Sequence, residues 1–167
     1  GQNATPEQVA ALRERFGLDQ PIATQYITWI SQALRGDLGF SYISDRPVRD
    51  LVSQRIPATL QLALGSILVM LMLGAPLGVF TAVRPHSPVA HLVSVLSAVA
   101  LATPTFWLGL LLILYFSVSR KMLPASGYVT FTEDPLEAIK HLLLPSLTLG
   151  AYGTAVLIRF LNASLTD

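Results

Sequence analysis

The sequence predicts an all-α, polytopic membrane protein with three bilayer-crossing helices. Two observations carry this. Hydrophobic residues make up 52% of the 167 residues and charged ones only 13%, against about 25% charged in a soluble domain. The few charges also avoid three long apolar runs and gather N-terminal to Ile56 or in short connecting segments.

The first run, Ile56 to Val83, contains no charged residue. About 20 helical residues cross the roughly 30 Å hydrocarbon core, so this run spans with room for tilt. Its apolar positions show no helical gap, as expected of a helix wetted by lipid. The second run, Pro88 to Ser119, carries Pro104 in its middle. Proline there removes an N–H and is expected to kink or break the helix, freeing carbonyls that must find partners within protein. The third run, His141 to Ile158, is near the minimum length and carries Pro145 close to its start, where proline is best tolerated. The expected spans are therefore about 58–83, 89–119 and 141–160.

Between them, residues 84–88 form a short turn, and residues 120–140 a longer polar connection broken by Pro124, Gly127 and Pro135. Residues 1–57 read as short amphipathic helices. One has Thr5 as N-cap, Pro6 as its first residue and Gly17 at its end. Another runs from Pro21 to Gly36 with Tyr26, Trp29 and Ile30. A third begins near Pro47 and leads straight into the first span, a placement suited to the membrane–water interface. The chain opens on Gly1 and closes at Asp167 soon after an apolar run, so both ends are expected to belong to a longer polypeptide.

Several chemistries are excluded. The net charge is +1 and no basic stripe is present, so no nucleic-acid partner is expected. Cysteine is absent, which removes disulfides and thiolate metal sites. His86, His91 and His141 are too scattered to build a metal site alone. No phosphate-loop motif occurs, so this chain holds neither ATP nor magnesium and any ATP hydrolysis belongs on a partner. No Asp, Glu, Lys or Arg lies within the three apolar runs, which disfavours ion-coupled transport. The positive-inside rule decides nothing here, because it needs the complete set of spans.

Several residues inside the spans stand out. Gly74 and Gly78 make a G-x-x-x-G around Pro76, which serves either ordinary tight packing or the close approach of a moving neighbour. Thr103, Pro104 and Thr105 mark either a static kink or a stretch of carbonyls and hydroxyls along a pathway. Gly150 and Thr154 give a weaker small-residue pair. Ser66, within the first span, is the nucleophile that a membrane-embedded hydrolase would need. A scaffold without transport is a further alternative.

One family joins these features. Gly17-Leu18-Asp19-Gln20-Pro21, Gln25-Tyr26, Gly36-Asp37-Leu38-Gly39, Arg46-Pro47-Val48 and Arg55-Ile56-Pro57-Ala58-Thr59-Leu60 come one after another in order. Gly74-Ala75-Pro76-Leu77-Gly78, Pro104-Thr105-Phe106-Trp107-Leu108-Gly109, Leu123-Pro124-Ala125-Ser126-Gly127-Tyr128 and His141-Leu142-Leu143-Leu144-Pro145 continue the series. Together they resemble the permease subunits of bacterial ABC importers for dipeptides, oligopeptides and nickel. Each motif alone is weak, but their collinearity is specific and covers nearly the whole chain.

The resemblance implies a permease-like helical bundle in the cytoplasmic (inner) membrane, seen as part of a longer subunit. Residues 1–57 would be an extracytoplasmic segment, 58–160 the transmembrane domain and 161–167 the start of a cytoplasmic segment. It further implies three kinds of protein partner: a second homologous permease subunit, cytoplasmic ATPase subunits and an extracytoplasmic substrate-binding protein. Arg46, Arg49 and Tyr128 would then be candidate contacts for that capture protein. Asn162 departs from the pattern, standing where the family often has a second arginine after Arg159.

Overall fold

The computed structural model describes residues 17–41 and 43–166. The helix expected from Thr5 lies outside them. The chain divides into two compact units, Gly1–Arg55 and Ile56–Asp167.

In the first unit, α1 (Ile22–Leu34) begins after Pro21, whose ring fixes an extended entry. The helix ends because Gly36 adopts φ +86°, letting its N–H reach the Ala33 carbonyl and that of Asp37 the Gln32 carbonyl. The Gly-Asp-Leu-Gly motif is thus a turn. Asp37 Oδ1 accepts from the Gly39 N–H at 2.9 Å, and Gly39 takes a second positive φ, +81°. That turn delivers the chain into a minimal antiparallel hairpin of β1 (Phe40–Ser41) and β2 (Arg46–Pro47), with Phe40 opposite Pro47.

α2 (Val48–Val83) begins directly after the hairpin and runs unbroken for 36 residues, about 54 Å at 1.5 Å per residue. The interfacial helix expected from Pro47 and the first span are therefore one rod, although Pro57 and Pro76 lie inside it. Asp50 in its first turn complements the helix dipole.

The second apolar run is not a straight rod. α3 (Pro88–Ala102) is capped by the Ser87 hydroxyl, which accepts from the Ala90 N–H. It stops at Thr103–Pro104, where both residues are extended (ψ 128° and 130°). Proline clashes with a helical predecessor, which is why the break falls there. The chain resumes as α4 (Thr105–Leu112), passes into a π-helical segment (Ile113–Ser119) and leaves its original direction by 106°. α5 (Pro135–Thr166) closes the order. Its start is fixed by Asp134, whose Oδ1 accepts from the Leu136 and Glu137 N–H groups at 3.0 Å each, with Pro135 as the first helical residue.

α2 and α5 lie side by side and parallel, as the small-residue contacts show. A Cβ on Gly65 would overlap the Ser146 hydroxyl, and one on Gly74 would come 3.0 Å from Leu157 Cδ2. Further along, a Cβ on Gly78 would come 2.7 Å from Leu161 Cδ1. Numbers rise together on both helices, and the Thr81 hydroxyl meets Asn162 Oδ1 at 2.8 Å at the far end. Two parallel neighbours require the chain between them to travel back across their length. The bent pair α3–α4 lies on that return path and is, by length and composition, apolar enough to count as one span broken at Thr103–Pro104. α3 and α4 both pack on α5.

Outward-facing Leu64, Leu68, Leu71 and Met72 are 47–74% exposed. In water each would cost transfer free energy; in lipid they are at home.

The α2–α5 crossing yields a first test. Gly150→Ala gains up to about 1 kcal/mol of helix propensity, but its Cβ would come 2.7 Å from Val69 Cβ and 3.1 Å from the Ser66 carbonyl oxygen. Overpacking of that kind costs about 1–3 kcal/mol, so the variant should melt earlier in detergent. Gly109→Ala, whose Cβ meets Thr148 Cγ2 at an ordinary 3.4 Å, should melt at the same temperature or later.

Candidate functional site

The motifs spread along the second half of the chain meet at one cavity of about 390 Å³. The proline break contributes Thr105 and Phe106, the connection after the π-helical segment contributes Pro124 to Gly127, and α5 contributes His141 and Thr148. Each position has a local cause. Thr105 starts α4 because Pro104 forces the extended joint before it. The 123–127 loop is held back on the π-helical segment by the Met122 N–H, 2.9 Å from the Phe116 carbonyl. Gly127 adopts φ +115°, where a side chain would be strained and would also meet the His141 ring at 3.0 Å.

The polar side chains of this cavity are few, and two of them are committed to the backbone of their own helix. The Thr148 hydroxyl donates to the Leu144 carbonyl at 2.8 Å. His141 Nδ1 lies 2.9 Å from the Glu137 carbonyl. Thr105 and Ser126 add two hydroxyl side chains, and the remaining walls are apolar, with Phe106, Ile113, Leu144 and Leu149 prominent. Among the described residues no group of His, Cys, Asp and Glu could hold a metal ion. Ser117, Ser146 and Thr154 bury hydroxyls with no hydrogen-bond partner; that of Ser146 faces Gly65 across the α2–α5 contact.

The residues singled out in the sequence fall in different places. Thr105 lines the cavity. Thr103 turns its hydroxyl back to the Val99 carbonyl at 2.7 Å, and Pro104 supplies the joint. Gly74 and Gly78 lie on the α2–α5 contact, buried against Leu157 and Leu161. Arg46 and Arg49 are exposed, Arg46 sharing a long 3.4 Å contact with Gln54. Tyr128 lines a second, smaller cavity of about 190 Å³ together with Gln61 and His141. Ser66 donates to the Leu62 carbonyl at 2.5 Å, so its hydroxyl proton is spent within its own helix. In the sequence His141 stands out only as the start of the His141–Pro145 motif and as one of three histidines too scattered for a metal site. The signal for its place was the Gly127 and His141 motifs occurring together, but nothing in their spacing brings them into contact.

Comparison with known proteins gives a consistent result. Residues 74–166 match the family model described as "Binding-protein-dependent transport system inner membrane component". Residues 1–63 match that of the N-terminal part of binding-protein-dependent transport system membrane components. The glutathione transport system permease protein of Escherichia coli O6:H1 is 36% identical across 100% of this chain and 52% of its own length. The oligopeptide transport system permease protein of Bacillus subtilis is 35% identical over 92% of this chain and 50% of its own. The probable D,D-dipeptide transport system permease protein of Escherichia coli K12 is 32% identical over 100% and 55%. The chain thus spans about half the length of the curated relatives it matches.

Beyond the cavity, the connection to α5 is ordered by Glu133. Its Oε2 accepts from the Thr130 hydroxyl at 2.9 Å and from the Thr130 N–H at 3.2 Å. These two bonds, the side-chain one first, hold its carboxyl below the ordinary carboxylate range. A depressed pKa means the folded loop favours the ionised form. The ordering is therefore complete above the ordinary carboxylate value and lost as pH falls through the lowered one. The Thr130 amide resonance should shift over that acidic window, and Glu133→Gln should abolish the transition.

Proposed function

The chain belongs to the family of binding-protein-dependent transport system inner membrane components, and on that premise we propose that it is a permease subunit of an ATP-driven importer for peptides. The observation that carries this reading is the extent of the match: the two family models together take in residues 1–63 and 74–166. The relatives' names, with oligopeptide, D,D-dipeptide and glutathione transport among them, favour peptides over nickel.

On this reading the subunit works by alternating access. It sits multi-pass in the inner membrane beside a second homologous permease subunit. A binding protein outside delivers the peptide, and ATPase subunits inside, which carry ATP and magnesium, drive the switch. The broken second crossing supports this assignment. Irregular backbone at membrane depth is tolerable only against protein or a polar cavity, and here it borders a cavity built by three separate motifs. The α2–α5 pair, bound along its length through glycines and joined by Thr81 and Asn162 at one end, would move as a unit. Arg46, Arg49 and Tyr128 remain the proposed contacts for the binding protein.

The hydrolase alternative loses its nucleophile, because Ser66 is hydrogen-bonded within its own helix. A scaffold would not need the broken crossing. Full-length protein purified from the membrane should bring an ATPase with it. In proteoliposomes that complex should accumulate peptide only with ATP on the ATPase side and binding protein on the other. Uptake without ATP, or a full-length protein that recovers no ATPase, would overturn the assignment.

A further inference from the structure

His141 separates two cavities. The larger lies among Thr105, the 124–127 loop and α5; the smaller adjoins Gln61 and Leu62 of α2 and Tyr128. Gly127, His141 and Pro145 line both, so the imidazole, pressed to the glycine, is the partition between them. The larger cavity has about 390 Å³, within the range of pockets that enclose small molecules, about 300–1,000 Å³.

The protonation pattern of the ring is set by its neighbour. Nδ1 is 2.9 Å from the Glu137 carbonyl, and a carbonyl can only accept. The hydrogen must therefore be on Nδ1. In the neutral ring this leaves Nε2 as a bare acceptor, at the edge of the ring next to Gly127. A second acceptor belongs to the same residue. Pro145 has no N–H to give the carbonyl of His141 four residues before it. The Thr148 hydroxyl offers no free hydrogen, since it donates to Leu144. The cavity thus combines largely apolar walls with the Thr105 and Ser126 hydroxyls, which can accept, and the His141 acceptor, which suits a ligand end that carries N–H groups.

We propose that His141 Nε2 accepts a hydrogen bond from the α-ammonium or an amide N–H of a peptide in transit, at the partition between the two cavities. This rests on the permease reading and adds to it the residue that meets the substrate inside the membrane.

The test uses the full-length subunit in its complete complex, reconstituted in proteoliposomes with a radiolabelled dipeptide. His141→Leu keeps bulk but no acceptor; His141→Gln keeps an acceptor. The leucine variant should slow the maximal uptake rate about tenfold or more, the scale of one lost hydrogen bond to a charged group. The glutamine variant should stay within about threefold, and both should melt in detergent like the unsubstituted protein. Wild-type uptake by His141→Leu, or equal slowing by both variants, overturns the assignment. Should the leucine variant fail to fold, p-benzoylphenylalanine in place of Phe106, which lines the same cavity and is 71% exposed, decides the matter. It should cross-link to the labelled dipeptide during ATP turnover, and absence of the adduct overturns the assignment. An unsubstituted complex that moves no peptide refutes the permease reading itself, whereas a transporting complex indifferent to His141→Leu refutes only this one.

Discussion

Everything in the second unit depends on how a backbone survives in hydrocarbon. Each N–H and carbonyl that leaves a helix at membrane depth costs several kcal/mol unless protein or water receives it. α2 keeps its backbone helical from Val48 to Val83, with Pro57 and Pro76 each withholding one N–H from the ladder without breaking it. The second crossing cannot, because Pro104 interrupts it. Its solution is to place the break against α5, where Thr103 satisfies its own N–H and hydroxyl on the Val99 carbonyl and the Trp107 and Leu108 N–H groups take the Pro104 carbonyl. The cavity beside the break is a consequence of that arrangement.

The parallel pairing of α2 with α5 is the complementary part. Lipid provides no hydrophobic drive between helices, so close contact of small residues must hold them. Gly65, Gly74 and Gly78 on one helix and Gly150 and Gly153 on the other supply it. The Thr81–Asn162 hydrogen bond adds a polar tie at the end of the pair where Arg84 and Arg159 also lie. Asn162 thus has a structural use: an amide can pair with the buried Thr81, whereas an arginine there would bring a charge against it.

How much of this could be read from the sequence depended on the range of the interaction. The apolar runs were legible because a missing charge is a local property, and the break at Pro104 because a missing N–H is too. The G-x-x-x-G at Gly74 and Gly78 was visible, but its partners Leu157 and Leu161 were not, since register between distant helices is decided by packing. Gly65 gave no signal, being a single small residue with no spaced companion. The 106° change of direction was not legible, because Pro104 marks where the helix breaks but not by how much the chain turns. His141 was the largest omission. Its role depends on a tautomer set by the Glu137 carbonyl and on a loop glycine fourteen positions earlier, and neither leaves a periodic trace.

The π-helical turns at Ile113–Ser119 have a geometric consequence. A wide turn, with the Arg120 N–H reaching back to the Tyr115 carbonyl and the Ser119 hydroxyl to that of Leu114, holds more residues than an α-turn in the same length. It is the form a helix takes when it absorbs an inserted residue without shifting both of its ends. Loss of one residue here would tighten the coil and rotate the chain beyond it by about 100°, carrying Arg120 off the Tyr115 ring it now covers. The wide turns therefore bear on the direction from which the chain enters the Leu123–Gly127 loop, and a length change after Ile113, the segment's own contribution to the cavity wall, would alter the rest of that wall from a distance.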